Sequence, residues 1–243
     1  MPTLYHIPKT ISSPIVQCLL ELDVVGNGVD VYETNFQEIK TETFLLRNPM
    51  GTSPTLEDDN IVLWESGAVL DYLLERYDTE NRLAPRCLSA ESLPEHSALR
   101  AKYLHVKQYI IATVYPFVAS LFLHTQRSIE EQDEAYIQST KRKWTSVMAP
   151  VLSQWLGEGT YFLGDQMTAV DFLVCKPLNN ANSLGMLVVF PRLKSLLDRM
   201  KCRPTFRLAY EALPPNEESH YNRSILVVPG MTTCQVSVED SKA

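Results

Sequence analysis

The chain has 243 residues, 45% of them hydrophobic, and carries 22 Lys and Arg against 29 Asp and Glu, a formal net charge of −7. That length buries a sizeable core as one large domain or two small ones. An acidic balance with no basic stripe excludes a general nucleic-acid binder, because phosphate neutralisation needs clustered Lys and Arg. No unbroken apolar run of about 18 residues marks a membrane span, and the opening MPTLYHIPKT has no charged-then-apolar secretory signal.

The first 78 residues alternate strand-like and helix-like stretches. Thr3 to Ile7 reads as a strand bounded by Pro8. Pro14 opens a helix through Ile15, Val16, Leu19 and Leu20, with Ser13 before it as the expected N-cap. Gly26-Asn27-Gly28 breaks the chain, Val29 to Tyr32 is a second strand, and a short helix is expected near Thr41 to Arg47. After the turn cluster Asn48-Pro49-Met50-Gly51, the run from Pro54 to Trp64 reads as a hairpin turning on Glu57-Asp58-Asp59-Asn60. Ser66 precedes a helix with Val69, Leu70, Leu73, Leu74 and Tyr77 at helical spacing.

Residues 79–94 are polar, contain two prolines and read as a linker. Residues 95–213 show no convincing strand. A long helix is expected from Glu95 to about Gln126, kinked at Pro116, and a second over Ile129 to Leu156. Thr168 and Asp171 form a capping box that opens a helix through Leu178. Shorter helices follow near Pro191 to Met200 and Pro204 to Ala212. Residues 214–243 form a tail of mixed character, in which Ile225 to Val228 could add a strand or cover a pocket. The architecture read from these elements is an α/β unit followed by an all-helical unit.

Five cysteines (Cys18, Cys87, Cys175, Cys202 and Cys234) are odd in number, widely spaced and without a CxxC pair. They predict neither a disulfide framework nor a zinc site, and fit a reduced, cytoplasmic setting. The five histidines form no HxxxH pair, so no metal is expected. Cys202 and Cys234 are minor candidates for redox activity.

Three features of the first unit belong together: the strand-to-helix turn Pro8 to Pro14, Ser53-Pro54 at the hairpin entry, and Trp64-Glu65-Ser66-Gly67-Ala68 at the next helix. With LYHIPKTISSPIVQCLLEL, NPMGTSPTLEDDNIVLWESGAVLDYLLERY, YFLGDQMTAVDF and PRLKSLLDRMKCRPTF, they make residues 3–212 resemble a cytosolic glutathione transferase of the Ser/Thr type, as in fungi and bacteria. The resemblance implies a thioredoxin-like domain joined to a helical domain, a homodimer, and glutathione as cosubstrate or cofactor with a small apolar electrophile as partner.

Glutathione carries a thiol, an amine and two carboxylates, and its thiol must ionise to attack. A helix N-terminus and a hydroxyl donor both favour the thiolate. The resemblance makes Thr10 the candidate hydroxyl, with Ser12 the alternative, whereas Tyr5 reads better as core packing. Glu65 and Ser66 resemble the pair that holds the γ-glutamyl group. Pro54 resembles the family's cis-proline, which presents the Ser53 backbone to the cysteinyl backbone. For the glycyl carboxylate, Lys40, Arg47 or Thr52 stands in for the residue that other classes use. Tyr109, Tyr115, Phe117 and His124 are candidates for the acceptor pocket, and Asp171 is structural. Three functions stay open: nucleophilic transfer, glutathione-dependent cis-trans isomerisation of a conjugated alkene, as in natural-product pathways, and a non-catalytic regulatory protein. The lack of a Ser-Ser-Cys motif disfavours a maleyl-acid substrate.

Overall fold

A computed structural model of the chain describes residues 1–86 and 94–211. Strand β1 (Thr3–His6) leads into helix α1 (Ser13–Glu21) and then β2 (Asp30–Glu33), which lies parallel to β1. A short α2 (Glu42–Leu45) is capped by the Thr41 hydroxyl, which accepts from the Phe44 N–H. Strands β3 (Thr55–Asp58) and β4 (Ile61–Trp64) form the hairpin, and α3 (Ser66–Tyr77) closes the unit. The sheet order is β2-β1-β3-β4, with β1–β3 and β3–β4 antiparallel. This is the thioredoxin-like arrangement expected.

Two local readings change. The hairpin turn is only Asp59-Asn60, because Asp58 pairs with Ile61, and Asp59 supplies the positive φ such a tight turn needs. Ser12, not Ser13, occupies the N-cap of α1, and its hydroxyl makes no capping bond. Ser13 is already helical and buried.

The start of the expected linker is packed. The buried Asp78 carboxylate accepts the N–H groups of Arg82, Leu83 and Ala84, and the Leu83 carbonyl accepts from Ala169.

The helical unit comprises α4 (Pro94–Tyr109), α5 (Tyr115–His124), α6 (Glu134–Lys143), α7 (Ala149–Leu156), α8 (Ala169–Ser183), α9 (Pro191–Lys201) and α10 (Pro204–Tyr210). A π-helical turn, Ile110–Val114, joins α4 to α5, and another, Trp144–Met148, joins α6 to α7. Each ends just before a proline, Pro116 and Pro150. A proline has no N–H for the carbonyl four residues back and its ring crowds that carbonyl. The wider turn absorbs the misfit through bonds five residues long, Tyr115 N–H to Ile110 O and Ala149 N–H to Trp144 O. Pro116 therefore leaves one continuous helix from Pro94 to His124.

That 31-residue helix is long and apolar enough by composition alone to cross a bilayer, although no unbroken apolar run marks it in the sequence. In the fold, Tyr103, Val106, Ile110, Val114, Val118 and Leu121 form one buried stripe, and the helix packs on α8. Helix α8 continues past Leu178 to Ser183 with Pro177 inside it, held by burial on nearly every side. The second long element starts later than expected, at Glu134, after a single 3₁₀ turn at Ile129–Glu131. The expected tail, with Ile225 to Val228 and Cys234, lies outside the described residues, as does Cys87.

The capping box forms as read. The Asp171 carboxylate accepts from the Thr168 N–H at 2.8 Å, the Thr168 hydroxyl at 3.1 Å and the Phe162 N–H at 2.9 Å. Burial nevertheless pushes its pKa up to about 6, against these bonds. Among the described residues no group of three or more His, Cys, Asp or Glu could hold a metal ion.

Candidate active site

Strand register brings the three sequence features to one end of the sheet. Tyr5 pairs with Thr55, and Thr55 pairs with Trp64. The chain leaving β1, the chain entering β3 and the chain leaving β4 therefore emerge side by side. These are the turn at residues 7–12, Ser53-Pro54 and Glu65-Ser66. The Ile7 N–H donates to Ser53 Oγ at 3.1 Å and joins the first two directly.

The turn holds a cluster of hydroxyls. Thr10 Oγ1 donates to the Ile7 carbonyl at 2.7 Å and lies 2.8 Å from Ser12 Oγ. Thr10 is partly exposed and Ser12 fully buried. Ser12 Oγ also lies 2.6 Å from Nδ1 of His6, which is fully buried. Burial pushes the His6 pKa down to about 3, outweighing the Ala209 backbone on α10, which favours the protonated ring. His6 was not among the residues picked from sequence. One signal was present: it continues the inward face of β1 set by Leu4, and a core-facing imidazole requires partners.

Ser53-Pro54 is a cis peptide. Glu65 is exposed and stands at φ 75° and ψ 116°, where L-residues are rarely found. It occupies the N-cap of α3 without capping it, and Ser66 is the first helical residue. The first N–H groups of α3 are thus uncapped by the Glu65 side chain and suited to an anion. Gly67 lets this turn approach Ile111, whose Cδ1 would lie 3.4 Å from any Cβ there.

The cations divide. Lys40 Nζ donates to the carbonyls of Met50 at 3.2 Å and Gly51 at 2.8 Å, beside Ser53-Pro54. Arg47 is committed to Glu57 at 2.8 Å and lies over the Tyr5 ring. The Thr52 hydroxyl accepts from Asn48 at 3.1 Å. Tyr5 is only half-buried, packed against Ile7, Ile39 and Phe44 rather than in the main core: its hydroxyl donates to Glu57 at 2.7 Å, and burial with that carboxylate pushes its pKa up to about 12.

Tyr115 reaches the first loop from the helical unit. Burial raises its pKa, and the Ile11 backbone beside its hydroxyl works the other way. Tyr109 instead packs edge-on against Trp155, Phe117 lies under Lys143, and His124 accepts from the Asp133 N–H at 2.8 Å beside Tyr136. Cys18 and Cys175 are buried with raised thiol pKa values, burial being the main cause, while Cys202 is exposed.

Comparison with known proteins agrees with this fold. Residues 2–75 match the family model for the glutathione S-transferase N-terminal domain, and residues 112–208 match the model for the C-terminal domain. Glutathione S-transferase D7 of Anopheles gambiae is 24% identical over 207 residues, 82% of this chain and 86% of that protein. The glutathione S-transferase-like protein OpS6 of Beauveria bassiana is 40% identical over 97 residues, 39% of this chain and 42% of that one. A glutathione transferase homolog from Lodderomyces elongisporus, solved with two GSH per subunit, superposes with a TM-score of 0.70 at 22% identity, covering 88% of this chain and 99% of that one. With both domain models matched in order across most of its length, the chain belongs to the glutathione S-transferase family.

Proposed function

We propose that the protein is a glutathione transferase that activates the glutathione thiol with the Thr10 hydroxyl for attack on an apolar electrophile. The observation that carries this reading is the convergence of Thr10, cis Ser53-Pro54 and Glu65-Ser66 at one end of the sheet.

The groups present fit the tripeptide part by part. The exposed Glu65 carboxylate accepts from the γ-glutamyl ammonium, and the Ser66 hydroxyl and N–H receive the adjoining carboxylate at the start of α3. The Ser53 backbone pairs with the cysteinyl backbone. Lys40, held beside Gly51, faces the glycyl carboxylate. Glutathione supplies the sulfur nucleophile when bound. Thr10 donates its hydroxyl proton to that sulfur at the uncapped mouth of α1. One charge-assisted bond of this kind is worth about 1.5–3 kcal/mol, about one to two pKa units. Tyr115 lines the acceptor side of the first loop.

Product mass after incubation with glutathione and a panel of halides and enones tests the reading. Addition of a glutathionyl group supports transfer. A product isomeric with its substrate moves the assignment to cis-trans isomerisation, with the same site in use. No binding of glutathione at millimolar concentration leaves a non-catalytic protein with the family fold. The reading carries a homodimer, checked by the solution mass.

A further inference from the structure

We infer that His6 is a positioning residue for the activating hydroxyls: its Nδ1 holds the Ser12 proton, which leaves Thr10 as the group that donates to sulfur. The inference rests on the functional reading above and assigns a role to a residue outside that reading.

Ser12 has one hydroxyl proton and three acceptors in reach. His6 Nδ1 lies at 2.6 Å, Thr10 Oγ1 at 2.8 Å and the Ile7 carbonyl at 3.2 Å. The shortest contact is to the imidazole. With its proton placed there, Ser12 Oγ is an acceptor only, toward the Thr10 hydroxyl and toward the Ile7 N–H at 3.3 Å. Ser12 is fully buried, so its oxygen is also the worse placed of the two to meet a ligand.

Thr10 then has the one movable proton. In the free protein it is shared between the Ile7 carbonyl at 2.7 Å and Ser12 Oγ at 2.8 Å. Turning it toward sulfur strands nothing. The Ile7 carbonyl keeps the Thr10 N–H at 3.3 Å, and Ser12 Oγ keeps the Ile7 N–H. Buried polar groups stay satisfied in both settings, so the switch carries no desolvation penalty.

For Nδ1 to accept, the neutral ring must carry its proton on Nε2. The Ala209 backbone of α10 lies beside the ring and favours its protonated form. Helix α10 is itself tied to α1 by Arg203 and Thr205 on Glu21, with Arg203 at 2.6 Å. The helical unit is thereby held beside the imidazole of the first unit.

Nitrogen-15 spectra of histidine-labelled wild-type protein test the tautomer without any variant. The neutral Nε2–H form is expected for His6, and the Nδ1–H form overturns the inference. Ultraviolet titration of the glutathione thiolate bound to variants tests the role. His6→Phe should lower the thiolate fraction at neutral pH by about tenfold, and His6→Asn, whose amide oxygen can replace Nδ1, should restore most of it. In a Ser12→Ala background, His6→Phe should add less than about a twofold change, because its effect runs through Ser12. Additive effects, or a His6→Phe titration that matches wild type, overturn the inference while the functional reading stands. Wild-type protein that binds no glutathione overturns both.

Discussion

The backbone N–H of Ile7 donates to Ser53 Oγ at 3.1 Å and so fastens the turn proposed to activate the thiol to the strand that follows the cis peptide. Ser53 Oγ also donates to the Tyr5 carbonyl at 3.4 Å, so this side chain adds two bonds to the β1–β3 pairing of segments 46 residues apart in sequence. Ser53→Ala removes both bonds and keeps the backbone proposed to pair with the ligand. The expected loss of stability is about 0.5–1.5 kcal/mol. The KM for glutathione should rise several-fold with kcat little changed. Denaturant melts and steady-state kinetics check both.

Glu65 shows strain at the position proposed to bind the γ-glutamyl ammonium. A non-glycine residue at φ 75° and ψ 116° costs of the order of 1–3 kcal/mol. Glu65→Gly should therefore be more stable than wild type, by about 1 kcal/mol after the added chain entropy of glycine. It should also bind glutathione at least about tenfold more weakly, since the ammonium loses its partner. Thermal melts with and without glutathione check the pair of effects. A less stable variant would contradict the strain argument.

Two buried groups bend the pH dependence of stability in opposite directions. The His6 pKa is lowered to about 3, so the unfolded chain takes up a proton first as pH falls below about 6.5. The stability it contributes is present above that pH and is lost on acidification toward 3. The Asp171 pKa is raised to about 6, so the folded chain holds the proton more tightly. Its contribution is present below the unfolded value near 3.9 and is lost as pH rises through 6. Between pH 7.5 and 5 the two largely cancel. Asp171→Asn should expose the histidine effect, a loss of about 2 kcal/mol on going to pH 5. His6→Phe should expose the carboxyl effect, a gain of about 1–1.5 kcal/mol over the same interval. Urea melts at the two pH values, compared between the variants, check the opposite slopes.

Much of this molecule was legible in its residues. Pro14, the Thr168–Asp171 box and the run from Pro54 to Trp64 act locally, so their elements appeared where expected. The cis peptide before Pro54 was readable only through the family likeness, because proline alone does not choose the isomer. The π turns ahead of Pro116 and Pro150 were not legible. They depend on how a long helix is held by packing while it absorbs a missing N–H. The positive φ of Glu65 was hidden because glutamate is not a turn residue. His6 was missed because its partners, Ser12 and the Ala209 backbone, become neighbours only once α1 and α10 have packed.

The most direct test of the account is the pKa of the glutathione thiol bound to wild-type protein and to Thr10→Val, which keeps the shape and removes the hydroxyl. The account predicts a wild-type value about one to two units below that of the free thiol, with Thr10→Val returning most of the way to it. Equal values in the two proteins would contradict it.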